Sequence, residues 1–157
     1  MKTKNRYYLL MLAFSLGLAA CTEVPVTDEG SAPTPPATIV NDSSNAIPGQ
    51  LLVKFRPEVS QMLDKAQATR STGMAGCITR SGMPSVDEVL DIIGTYELER
   101  VFPEDRRNEE RSRQAGMHLW YTVRFDEETE LDRAAADMAK LGEVAKIEFN
   151  RELQRNY

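Results

Sequence analysis

Between Leu119 and Asn150 the apolar residues change period twice, from two to about 3.6 and back, which restricts the chain to folds with a helix packed on a sheet. Leu119, Tyr121, Val123 and Phe125 fall at every second position, the signature of one face of a strand. From Thr129 to Leu141 the spacing becomes three and four, with Leu131, Ala134, Ala135 and Met138 forming a stripe, and Gly142 is placed to end the helix in a left-handed conformation. Val144 to Asn150 returns to alternation, Ala145, Ile147 and Phe149 inward, Lys146 and Glu148 outward. Arg151 to Tyr157 is too polar for a core.

At 157 residues the chain has room for one domain, and a leader is expected to precede it. Lys2, Lys4 and Arg6 stand before an uncharged run from Tyr7 to Ala20, a secretory-signal pattern too short for a comfortable membrane span. Leu18-Ala19-Ala20-Cys21 resembles the lipobox of bacterial lipoproteins, which implies cleavage after residue 20, a lipid on Cys21, export, and anchoring to the outer membrane on either face. Cleavage there removes three basic residues and moves the formal net charge from −5 to −8, which argues against a nucleic-acid partner. It also leaves Cys77 without a partner in the chain, so a structural disulfide is not expected. Residues 21–48, rich in Pro, Ser, Thr and Asp and free of aromatic residues, read as a disordered tether.

The folded domain is expected over 49–150, with 151–157 as an extended tail. Leu51, Val53 and Phe55 alternate with Leu52 and Lys54 in a strand from Gln50 to Phe55, closed by Arg56-Pro57. Val59, Met62, Leu63 and Ala66 predict a short helix within Glu58 to Thr69, and glycine-rich Ser71 to Pro84 predicts a loop. Ser85-Val-Asp-Glu88 has the form of a capping box, opening a helix along Val86, Val89, Leu90 and Ile93 that Gly94 ends. A strand over Tyr96 to Phe102 and a solvated charged run over Glu104 to Gln114 complete the order, with Glu109 and Arg113 at pairing distance. The sum is an α+β domain on the ferredoxin-like, split βαβ plan: a four-stranded antiparallel sheet with helices on one face.

Three segments carry a family resemblance. Ile47-Pro-Gly-Gln-Leu-Leu-Val-Lys-Phe-Arg-Pro57 resembles the opening strand of the propeptides of subtilisin-like serine proteases, Glu99-Arg-Val-Phe-Pro103 their second strand, and Glu143-Val-Ala-Lys-Ile-Glu-Phe-Asn150 their closing strand. With the lipobox and the insertion from Ser60 to Pro84, the pattern is similar to the Bacteroidetes-type versions. The resemblance implies an intramolecular chaperone and inhibitor whose partner is the protease catalytic domain. It implies that the outer sheet face, with Leu52, Val101, Trp120 and Thr122, lies on that partner. It implies too that Gln154, Arg155, Asn156 and Tyr157 enter the active-site cleft as an extended product-like strand. Gln154 departs from the small or apolar residue usual at its subsite.

Catalytic residues are not expected. His118 is the single histidine and reads as structural, and with one spare cysteine it makes no zinc set. The strand-borne Asp, the His-Gly helix start and the Gly-Thr-Ser-Met nucleophile helix of subtilases are absent. Gly73 to Gly76 lacks the Lys-Ser/Thr step of a phosphate loop, and neither metal nor cofactor is expected. Two alternatives stand beside the propeptide reading: a stand-alone, monomeric lipoprotein inhibiting a protease in trans, and a lipid-anchored adaptor using the same sheet face on another partner.

Overall fold

The structure is a computed structural model that describes residues 34–69, 77–104 and 106–152. Over these residues the protein is α+β, a single mixed six-stranded sheet with four helices. The chain runs β1 (Thr38–Ile39), β2 (Ala46–Phe55), α1 (Ser60–Ala68), β3 (Cys77–Ile78), α2 (Pro84–Ile92), β4 (Thr95–Arg100), α3 (Glu109–Gln114), β5 (Trp120–Phe125), α4 (Leu131–Ala139) and β6 (Val144–Arg151). Strand order is β1-β6-β2-β5-β4-β3. All neighbours are antiparallel except β1 and β6, which run parallel.

Alternation fixes which face is the core. Leu51, Val53 and Phe55 of β2, Tyr121, Val123 and Phe125 of β5, Leu98 of β4, and Ile147 and Phe149 of β6 are buried together with Leu63 of α1, Val86 and Leu90 of α2, and Ala134, Ala135 and Met138 of α4. The alanines matter at this interface, because their small side chains let α4 sit close to the sheet. Phe55 and Tyr121 meet edge to face with ring centroids 5.6 Å apart, a preferred aromatic geometry. Gly49 (φ +67°) lets β2 pass β5 closely: a Cβ there would lie 2.6 Å from the Phe125 carbonyl oxygen.

Four expectations need correction. The sheet has six strands, not four, because β1 and β3 are two-residue edge strands too short to leave a periodic pattern. The tether assigned to 21–48 yields its last residues to the fold, since 34–48 carries β1 and the start of β2. There Asn41 offers its side-chain amide to β6 as a backbone would, accepting from Phe149 N (2.7 Å) and donating to Phe149 O (3.0 Å). Arg151 donates to both the carbonyl and the carboxylate of Asp42 at 2.8 Å. These bonds offset an ordering cost that low hydrophobicity alone could not.

The capping box does not form. Met83 precedes α2, Pro84 takes the first turn, and Ser85 donates to Glu143 instead. Asp87 reaches back and accepts from Ser81 N (2.7 Å), Ser81 Oγ (2.8 Å) and Gly82 N (3.2 Å). Gly94 leaves α2 left-handed at φ +74°, but α4 ends at right-handed Lys140 and Gly142 is not left-handed.

Candidate functional site

Side chains of opposite parity to the core line the other face of the sheet, and none of them is fully buried. Register sorts them into three rows. The first runs Lys146, Lys54, Trp120, with Lys54 directly opposite both of the others. The second runs Glu148, Leu52, Thr122, Glu99, and the third includes Gln50, Arg124 and Glu97. Val101 continues β4 by one residue, its amide donating to Trp120 O at 3.0 Å. Leu52, Val101, Trp120 and Thr122 are thus brought together, each half-buried.

The surroundings of this apolar centre are charged to a degree the alternation pattern did not convey. Lys54 Nζ and Lys146 Nζ each stand 5.7 Å from the Trp120 ring centroid, within cation–π range. Arg124 binds Glu97 and Glu99, the latter at 3.1 Å, and Lys146 reaches Glu148 at 3.2 Å. The Arg124 guanidinium holds the Glu97 carboxyl below the usual carboxylate range, with a further hydrogen bond from Cys77.

Cys77 lies half-buried on β3 opposite Glu99. Burial, and then Glu97, push its thiol up to about 11, so it stays protonated and unreactive at neutral pH. His118 is also half-buried; its Nε2 is 3.0 Å from Ser60 Oγ while Nδ1 is enclosed without a partner. Burial and the nearby Arg113 lower its pKa below 6.5.

Beside His118, at one edge of the core, is a polar network that the sequence reading missed. Arg100 is buried, with a side chain 7 % exposed, and donates to Tyr121 Oη (3.1 Å), Asp64 (2.6 Å) and Glu104. Asp64 also accepts from Arg113 at 2.9 Å, and Arg113 pairs with Glu109 at 3.2 Å along α3. Burial opposes ionisation of Asp64, but Arg113 and Arg100 outweigh it and keep the carboxyl below its ordinary range. The one sequence signal was an arginine at an inward position of β4, which the expected alternation of Tyr96, Leu98 and Phe102 passed over. Tyr96 and Phe102 are in fact exposed.

The tail residues Gln154, Arg155, Asn156 and Tyr157, and Cys21 with its leader, lie outside the described residues. Among the described residues no group of His, Cys, Asp or Glu side chains is arranged to hold a metal, and no helix is long and apolar enough to cross a membrane. No family model matches the chain, and a search of curated proteins gives no significant match.

Proposed function

We propose that the chain is the propeptide of a subtilisin-like serine protease, a non-catalytic domain that chaperones and inhibits the catalytic domain. In this reading the strands β6-β2-β5-β4, with helices crossing between β2 and β4 and between β5 and β6, are the ferredoxin-like unit. Strands β1 and β3 are edge additions. The domain is exported and anchored through lipid on Cys21. The observation that carries the reading is the half-buried sheet face opposite the core, centred on Leu52, Val101, Trp120 and Thr122, on a domain whose last strand is followed in the sequence by a polar segment. The three propeptide-like segments agree with it: they supply β2, the end of β4 and β6, the strands that frame that face. Docked by the face, residues 153–157 reach the active-site cleft in extended form, Tyr157 foremost.

The test is inhibition of the catalytic domains of secreted subtilisin-like proteases from the same organism by residues 22–157. Nanomolar inhibition of one of them, weakened on deleting 153–157, is expected; that deletion spares Arg151 and its bonds to Asp42. Lack of inhibition at micromolar concentration would sink the reading and leave the face to a non-protease partner. An immunoblot of the native product separates a pro-domain, seen first as a larger precursor, from an inhibitor acting in trans, seen as a stable band.

A further inference from the structure

The half-buried outer sheet face is not uniform in charge, and its rows specify what can sit on it. In the third row Arg124 meets its own acids, Glu97 and Glu99, so its charge is already matched and that end keeps a negative excess. The first row carries Lys54 and Lys146 directly opposite one another on adjacent strands, a placement in which like charges repel. Lys146 shares its charge with Glu148 at 3.2 Å, whereas Lys54 has no carboxylate within ion-pair distance among the described residues. Both ammonium groups are held over one ring, 5.7 Å from the centroid of Trp120. Beside them Leu52 and Thr122 form the apolar floor.

We propose that Lys54, Lys146 and Trp120 form a receptor for a carboxylate on the docking partner, one Asp or Glu set among apolar side chains. The carboxylate sits between the two ammonium groups, relieving their repulsion, while its apolar neighbours cover Trp120, Leu52 and Thr122. Attraction between an acid and this pair supplies selectivity and on-rate, and desolvation of the indole and Leu52 supplies much of the affinity. The inference rests on the reading of this face as the contact surface, and it adds the chemistry of the partner: acidic at one defined place, not basic.

Trp120 is the sole tryptophan of the chain, so its fluorescence reports the site directly. Every described strand and helix lies after residue 33, and the chain from residue 22 keeps them all. The probe is a synthetic amphipathic helix with leucines and one glutamate on its apolar face; the control has lysine in place of glutamate. At low salt the glutamate peptide is expected to perturb Trp120 at a Kd about tenfold below that of the lysine peptide, with the gap closing as salt rises. The preference disappears in the Lys54→Gln/Lys146→Gln double variant. Lys54→Glu, which places an acid opposite Lys146, also loses it while melting no lower than the parent, a result that purely structural lysines would not give.

Equal response to both peptides, response to neither, or a preference that survives the double glutamine variant would overturn the proposal. The two readings separate cleanly in the protease assay. A chain that inhibits a subtilase as well with Lys54→Gln/Lys146→Gln as without them loses this receptor and keeps its protease. One that prefers the glutamate peptide yet inhibits no subtilase keeps the receptor and loses the protease.

Discussion

Asp64 joins two arginines across three elements, and its loss would leave Arg100, whose side chain is 7 % exposed, with Tyr121 and the largely exposed Glu104. Removing one partner of a fully buried pair costs about 3–5 kcal/mol; Asp64 is 32 % exposed, so Asp64→Asn is expected to cost about 2 kcal/mol in a denaturant titration. Arg100→Met, which removes the charge with its stem retained, is expected to cost less than Asp64→Asn. The depressed carboxyl gives the pair a pH signature: its stabilisation is complete above the unfolded Asp pKa, about 3.9, and is lost as pH falls through the lower folded value. His118 acts in a higher window. Its folded pKa is lowered, so the unfolded chain takes up the proton first and stability declines as pH drops below about 6.5. Urea unfolding at pH 7 and pH 5.5 is expected to show a loss that His118→Asn largely removes, and an unchanged loss in that variant would exclude His118 as its source.

Helix α2 shows how a local motif can be right in kind and wrong in register. Ser85 and Glu88 have the spacing of a capping box, but Met83 is the residue that caps and Pro84 starts the helix two residues sooner, leaving Asp87 to hold the turn before it. Asp87→Ala is therefore expected to cost about 1–2 kcal/mol and Ser85→Ala under half of that, compared by thermal melts. The longer elements were legible for a plain reason: β2, α2, β5, α4 and β6 each repeat their period often enough to be read, and most of their inward residues lie in or against the observed core. Ala145 does not, because a register shift between Lys54 and Phe55 puts Val144 opposite Phe55 and buries it instead. Strands β1 and β3 have no period to read, since two residues cannot repeat. The outer face was legible in position, as Leu52, Trp120 and Thr122 are set by parity. Its charges were not, because the meeting of Lys54 and Lys146 over Trp120 depends on register between strands nearly a hundred residues apart. Arg100 was hidden for a third reason: an arginine in a strand reads as solvent-facing unless Asp64 and Tyr121 are known to await it.

The stretch before β2 binds the domain along one edge. Arg56 donates to Pro35 O at 2.6 Å, Ala37 N to Ala139 O at 3.1 Å and Val40 N to Ile147 O at 3.0 Å, and Asn41 and Asp42 complete the line down to Arg151. This strap covers the outer edge of β6, which would otherwise offer unpaired amides to a second molecule. A chain starting at residue 46 is expected to melt at lower temperature than one starting at residue 22 and to self-associate with rising concentration, measured by calorimetry and sedimentation; a monomeric, equally stable product would show the strap to be dispensable. The sheet has a second consequence, one of timing. Its longest strand, β2, lies between β5 and β6, so the first strand of the core to leave the ribosome finds its two neighbours only when residues 120–151 have been made. Such non-local pairing is slow to form and cannot begin early in synthesis. The core of the chain therefore stays unpaired for most of its synthesis, and the sheet closes only once the last strand has been made.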